Sequence, residues 1–95
     1  MNKVYKALSD PTRRKILEIL RGGDLTAGEI CEHFPHTAPT MSRHFNVLKE
    51  ADLIQGDKAG TTITYHLNVS ILEEALLTLF NQFGLDRETR EPDER

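Results

Sequence analysis

Apolar positions along the chain change their period twice. They recur at three- and four-residue spacing through the first fifty or so residues, then alternate, then return to helical spacing. Such switches separate helices from strands. In "NKVYKALSD", Val4, Ala7 and Leu8 share one helical face, and the pattern stops before Asp10-Pro11. Asp10 reads as the N-cap of a second helix with Pro11 at its first position, where a missing N–H costs nothing. That helix turns Ile16, Leu17 and Leu20 inward, with Ile19 at the margin, and ends at Gly22-Gly23. "TAGE" matches a capping box, with Thr26 as cap and Glu29 at the third position of a third helix. Ala27, Ile30, Cys31 and Phe34 form its inner face, and Pro35 ends it. After a three-residue break, Thr37 caps a fourth helix with Pro39 near its start. It is about 15 residues long, or roughly 22 Å at the α-helical rise.

Beyond it, "LIQGDKAGTTITYHL" holds two extended runs, with Ile63, Tyr65 and Leu67 alternating against Thr62, Thr64 and His66. Lys58, Ala59 and Gly60 are expected at the hairpin tip. Ser70 and Glu73 match a second capping box, opening a helix through Phe83 that Gly84 ends. That last helix is apolar at 71, 72, 75, 76, 77, 79, 80 and 83, which is more than one stripe. Its second face calls for a second partner. The order is four helices, a β-hairpin and a helix, mostly α. Two helices joined by a short turn and followed by a hairpin make a winged helix-turn-helix.

The fourth helix carries the chemistry that matters. At 100° per residue, Met41, Phe45 and Leu48 share one face. Pro39, Ser42, Arg43, Asn46 and Glu50 point the opposite way, with Lys49 at the flank. Small and hydrogen-bonding residues with one guanidinium suit an element entering a DNA major groove. There Arg43 can pair with guanine, and Ser42 or Thr40 can bond bases or phosphate. His44 lies toward the side of Met41 and Phe45. Arg13, Arg14 and Lys15 sit near the positive end of the second helix's dipole, either compensated by Asp10 or another acid, or facing phosphate.

Other chemistries fit poorly. Ser42 and His44 are two residues apart on different helix faces, so they cannot form a nucleophile–base pair, and no G-x-S-x-G elbow exists. The chain is not expected to be an enzyme. Cys31-Glu32-His33 offers ligand types at i and i+2, splayed about 200° apart on a helix, whereas zinc needs convergent ligands. Cys31 reads as a small core residue and His33 as a solvated one.

Composition adjusts this picture only slightly. At 38% hydrophobic and 28% charged, the 95 residues are those of one ordinary globular domain. No apolar run approaches the roughly 18 residues of a membrane span, and no secretory signal opens the chain. With one cysteine, a reducing cytoplasm is the expected compartment. The formal charge of -3 counts against a nucleic-acid binder. However, the last ten residues hold five acids against three arginines, leaving only -1 on residues 1–85. Those first 85 residues are the expected domain, and 86–95 the expected charged, disordered tail.

"ALSDPTRRKILEILRGGDLTAGEI" followed by "PTMSRHFNVLKEADLI" resembles the ArsR-type winged-helix repressors of bacteria, over about residues 3 to 83. The resemblance implies a homodimer on a pseudo-palindromic operator, joined through the first and last helices. Val4, Leu8, Leu72, Leu76, Leu79, Phe80 and Phe83 would form the interface. Operator contacts would fall on Pro39, Thr40, Ser42, Arg43, Asn46 and Lys58, with His44 included. Metal-sensing members carry Cys-x-Cys on the third helix, or Asp and His along the last. Here Cys31-Glu32-His33 has one cysteine, and no His lies between Ser70 and Phe83. The chain is therefore similar to the metal-free branch, with no metal and no cofactor. That branch includes autoregulatory repressors relieved by a membrane-bound or soluble anti-repressor protein. Two alternatives stay open: a metal or thiol sensor using Cys31, and a winged helix that binds only a protein partner.

Overall fold

A computed structural model describes residues 1–85. Its elements are α1 (Asn2–Leu8), α2 (Pro11–Leu20), β1 (Leu25–Thr26), α3 (Ala27–Cys31), α4 (Ala38–Glu50), β2 (Ile54–Ala59), β3 (Thr62–Leu67) and α5 (Val69–Phe83). The expected tail, 86–95, lies outside the described residues. The helical stripes converge on one core. Ile16 from α2, Ile30 from α3, Met41 and Leu48 from α4, and Leu53 and Ile54 beyond it are fully buried. Phe45 and Tyr65 close it toward the sheet, with ring centroids 4.8 Å apart.

Local signals place most helix starts. Asp10 Oδ2 accepts from the backbone N–H of Thr12 and Arg13, at 2.8 and 3.2 Å. Thr26 and Glu29 form the reciprocal capping box at 3.1 and 2.9 Å, and Thr37 caps α4. The α5 start differs from the expected Ser70. Asn68 is the N-cap without a side-chain cap bond, and Ser70 lies inside the helix. The exit from β3 decides this. Asn68 donates its backbone N–H to Leu53 O at 2.9 Å and its Nδ2 to Asp52 O at 3.1 Å, so the helix starts directly from the strand.

Three further boundaries depart from the sequence reading. α3 ends at Cys31, not at Pro35. His33 and Phe34 donate to carbonyls three residues back, so the chain tightens before proline can end it. Six residues rather than three therefore separate α3 from α4, and α4 has 13 residues. The sheet has three strands in the order β1-β3-β2, all antiparallel. β1, only Leu25 and Thr26 opposite Tyr65 and Thr64, is too short to show alternation. The hairpin loop is Gly60-Thr61, so Lys58 pairs with Ile63 inside the ladder instead of sitting at the tip. Gly60 has φ 64° and Thr61 no positive φ, the pattern of a type II′ turn. Gly56 serves a different need, because a Cβ there would meet the Tyr65 ring at 2.9 Å.

α4 stops without glycine. Leu53 N–H bonds Leu48 O at 3.1 Å and Asp52 N–H bonds Lys49 O at 2.9 Å. This is a Schellman ending, with Asp52 in the left-handed region at φ 61°.

Candidate nucleic-acid interface

α4 is held from inside and presented from outside. Met41, Phe45 and Leu48 are buried, while Pro39, Ser42, Arg43 and Asn46 are exposed on the opposite face. The Arg43 guanidinium and the Asn46 amide have no hydrogen bond or ion pair among the described residues. Both are free to meet an outside ligand. Thr40 is half-buried in the first turn, where its hydroxyl accepts from Thr37 Oγ1 at 3.0 Å. It belongs more to the cap than to the docking face. Lys58 is exposed near the end of β2.

His44 turns inward instead. Its Nδ1 lies 3.2 Å from Arg13 Nη1 and 3.9 Å from Asp10 Oδ2. A guanidinium only donates, so the nearer contact requires a bare Nδ1 and a proton on Nε2. Burial pushes the imidazole below its ordinary pKa; Asp10 opposes this, and Arg13, His36 and Arg43 reinforce it. Burial works to raise the Asp10 carboxyl. The N–H groups of Arg13 and Thr12, with His44 and Arg13 charge, more than offset that and hold it below the usual value.

Within the chain, the basic run after Pro11 is held by backbone carbonyls as well as by an acid. Arg13 donates from Nε to Ala7 O at 2.9 Å and from Nη2 to Lys6 O at 3.0 Å, and Arg14 Nη1 donates to Leu8 O at 2.8 Å. Both guanidinium groups cap the negative end of α1, and Lys15 pairs with Glu18. Sequence reasoning missed this, because the acceptors are backbone carbonyls of another helix.

Cys31 is half-buried, and burial pushes its thiol pKa up, the opposite of a reactive thiolate. Among the described residues no group of three His, Cys, Asp or Glu could hold a metal ion, and no helix is long and apolar enough to cross a membrane.

α5 leaves a second surface. Leu76, Leu77, Phe80 and Phe83 are exposed, Phe83 to 65%. An open, almost wholly apolar groove of about 430 Å³ runs beside them between Leu8, Leu17, Leu72 and Leu76. Leu72 and Leu79 are half-buried. Val4 is 6% exposed, in the chain's own core, and Leu8 is half-buried. Leu77, apolar on the wheel but not assigned to the interface from sequence, is 58% exposed.

A helix anchored by one apolar stripe, showing a free guanidinium, with a β-hairpin wing beside it, defines a winged helix-turn-helix regulator. The profile described as "Bacterial regulatory protein, arsR family" matches residues 10–55. The chain is 49% identical over 81 residues to the transcriptional repressor SdpR of Bacillus subtilis, covering 85% of this chain and 90% of that one. It is 35% identical over 79 residues to the arsenical resistance operon repressor of Staphylococcus aureus, covering 83% and 76%. The crystal structure of an ArsR family transcriptional regulator superposes with a TM-score of 0.82 at 28% identity, covering 90% and 89%. An ArsR-like transcriptional regulator from Rhodococcus superposes at 0.75, also with 28% identity, covering 94% and 83%. The chain belongs to the arsR family of bacterial regulatory proteins, a family of DNA-binding regulators and not of enzymes.

Proposed function

We propose that the chain is a cytoplasmic transcriptional repressor that binds a pseudo-palindromic operator as a homodimer and responds to no metal ion. The observation that carries this reading is the outer face of α4, where Ser42, Arg43 and Asn46 stand exposed opposite a fully anchored stripe. The 49% identity to a named transcriptional repressor supports it. Two copies related by a two-fold axis would set two such helices into successive major grooves, with half-sites about 10 to 10.5 bp apart or a multiple of that. Arg43 would read a guanine edge, Ser42 and Asn46 neighbouring bases, and Pro39 and Thr40 would abut the backbone. Lys58 would track phosphate from the wing.

The domain of this reading is 1–85. The apolar face of α5 supports the dimer, and the single half-buried cysteine supports the metal-free assignment. Relief would then come from an anti-repressor protein, membrane-bound or soluble, rather than from an ion. A gel-shift titration on the DNA upstream of the chain's own gene, at two salt concentrations and against scrambled duplex, tests the reading. Selective retention is expected, with affinity falling as salt rises. Equal binding to both duplexes contradicts it, and no binding to either favours a protein-interaction module.

A further inference from the structure

One polar cluster beneath α4 joins four parts of the chain. Arg13, on the first turn of α2, puts two arms of its guanidinium on the last carbonyls of α1 and the third on His44 of α4, 31 residues away. Asp10 stands at the α2 cap, and His36, on the turn leading into α4, shares a 3.2 Å hydrogen bond with Thr12. The His36 ring stacks on Phe34 at 5.8 Å and lies 6.2 Å from the His44 ring. Every other inward residue in the middle of α4 is apolar.

We infer that His44 is a positioning residue for DNA recognition: by accepting from Arg13, it ties α4 to the C-terminus of α1 and so sets how Arg43 and Ser42 are presented. This rests on the reading of α4 as the operator-binding helix. α1 contacts α5 as well as α2 and α4, so the tie references the docking face to the side of the molecule that carries the apolar surface. An apolar stripe alone lets a helix roll slightly about its axis. One directed hydrogen bond at its flank fixes that rotation.

The tie has a protonation state. The titratable and charged groups facing His44 are Asp10, Arg13 and His36 from the neighbouring elements, and Arg43 from its own helix. Arg13 can only donate, so a protonated ring loses the bond and sets a second cation against the first. Asp10, the one acid among them, is already engaged by two backbone N–H groups. Because burial and the cationic neighbours hold the imidazole below its ordinary value of 6.5, the tie is intact at neutral pH. It opens as pH falls through the lowered folded pKa. DNA phosphates by themselves favour added protons, so acid should strengthen non-selective binding while selectivity falls.

Fluorescence anisotropy on operator and scrambled duplexes, from about pH 7.5 downward in steps to the lowest pH that keeps the helical circular dichroism, separates these effects. The wild-type ratio of operator to scrambled affinity is expected to fall about tenfold in acid, the worth of one charge-assisted hydrogen bond. His44→Asn, whose Oδ1 accepts without titrating, should hold the ratio across that range. His44→Leu should show a low ratio at every pH while keeping its helical circular dichroism. A wild-type ratio retained by His44→Leu, or an acid loss retained by His44→Asn, overturns the proposal. Imidazole nitrogen NMR gives a readout without DNA. A bare Nδ1 on His44 that changes in Arg13→Gln supports the tie, and a proton on Nδ1 at neutral pH overturns it. If the wild type selects no duplex, the repressor reading fails, and the imidazole spectrum alone then decides whether the tie exists.

Discussion

Arg43 and Arg13 are the same residue type with opposite fates. Arg13 has every arm of its guanidinium engaged inside the chain, while Arg43 is exposed and unpaired among the described residues. Alanine at 43 should therefore leave the melting temperature nearly unchanged. On operator DNA it should cost about 1 to 3 kcal/mol and relax specificity at one base pair, measured by titrating single-base operator variants. Lys58→Ala should instead weaken binding to all duplexes alike and flatten the dependence on salt, because a phosphate contact carries no base information. Asp52 poses a backbone question. At φ 61° it holds a conformation that L side chains resist. Asp52→Gly is expected to raise unfolding stability by about 1 kcal/mol in urea titrations, since glycine adopts that φ freely. The outward direction of Arg43 was legible from periodicity alone. The fate of Arg13 was not, because its partners are carbonyls on a helix that the sequence places before it but does not orient.

Among the elements, α2 depends on its cap more than its length suggests. The Asp10 carboxylate accepts two backbone N–H groups and faces both Arg13 and His44. Asp10→Ala should cost about 0.5 to 2 kcal/mol of stability, read from thermal or urea melts. The pH dependence follows from the sign of the shift. The folded carboxyl sits below its ordinary value of 3.8, so its contribution is full above that value and is lost as pH falls through the lower folded pKa. Asp10→Asn still caps but does not titrate, so its acid melting curve should lack that component. Three of the five helix starts were legible as caps, at Asp10, Thr26 and Thr37. Ser70 and Glu73 had the spacing of a fourth, yet Asn68 starts α5, because its bonds to Asp52 and Leu53 fix where the strand ends. A capping box states only that a helix can start there. Tertiary contacts upstream can start it sooner.

At the scale of the whole molecule, the exposed side of α5 concentrates apolar area that the described residues do not cover. If the proposed dimer forms through α5, Leu77→Glu together with Phe83→Glu should shift it toward monomer in sedimentation velocity at micromolar concentration. Operator affinity should drop with it, because each half-site alone offers half the contacts. A variant that sediments like the wild type would remove α5 from the interface. By itself the sequence determined the helical stripes, the wing and the outward face of α4, because each follows from spacing of a few residues along one element. Only the tertiary structure decided that Arg13 and Arg14 cap α1, that the inward His44 meets Arg13, that Leu25 and Thr26 add a third strand, and that Val4 belongs to the chain's own core. Each of these is a contact between segments distant in sequence, and no local period records which carbonyl, ring or strand will lie opposite.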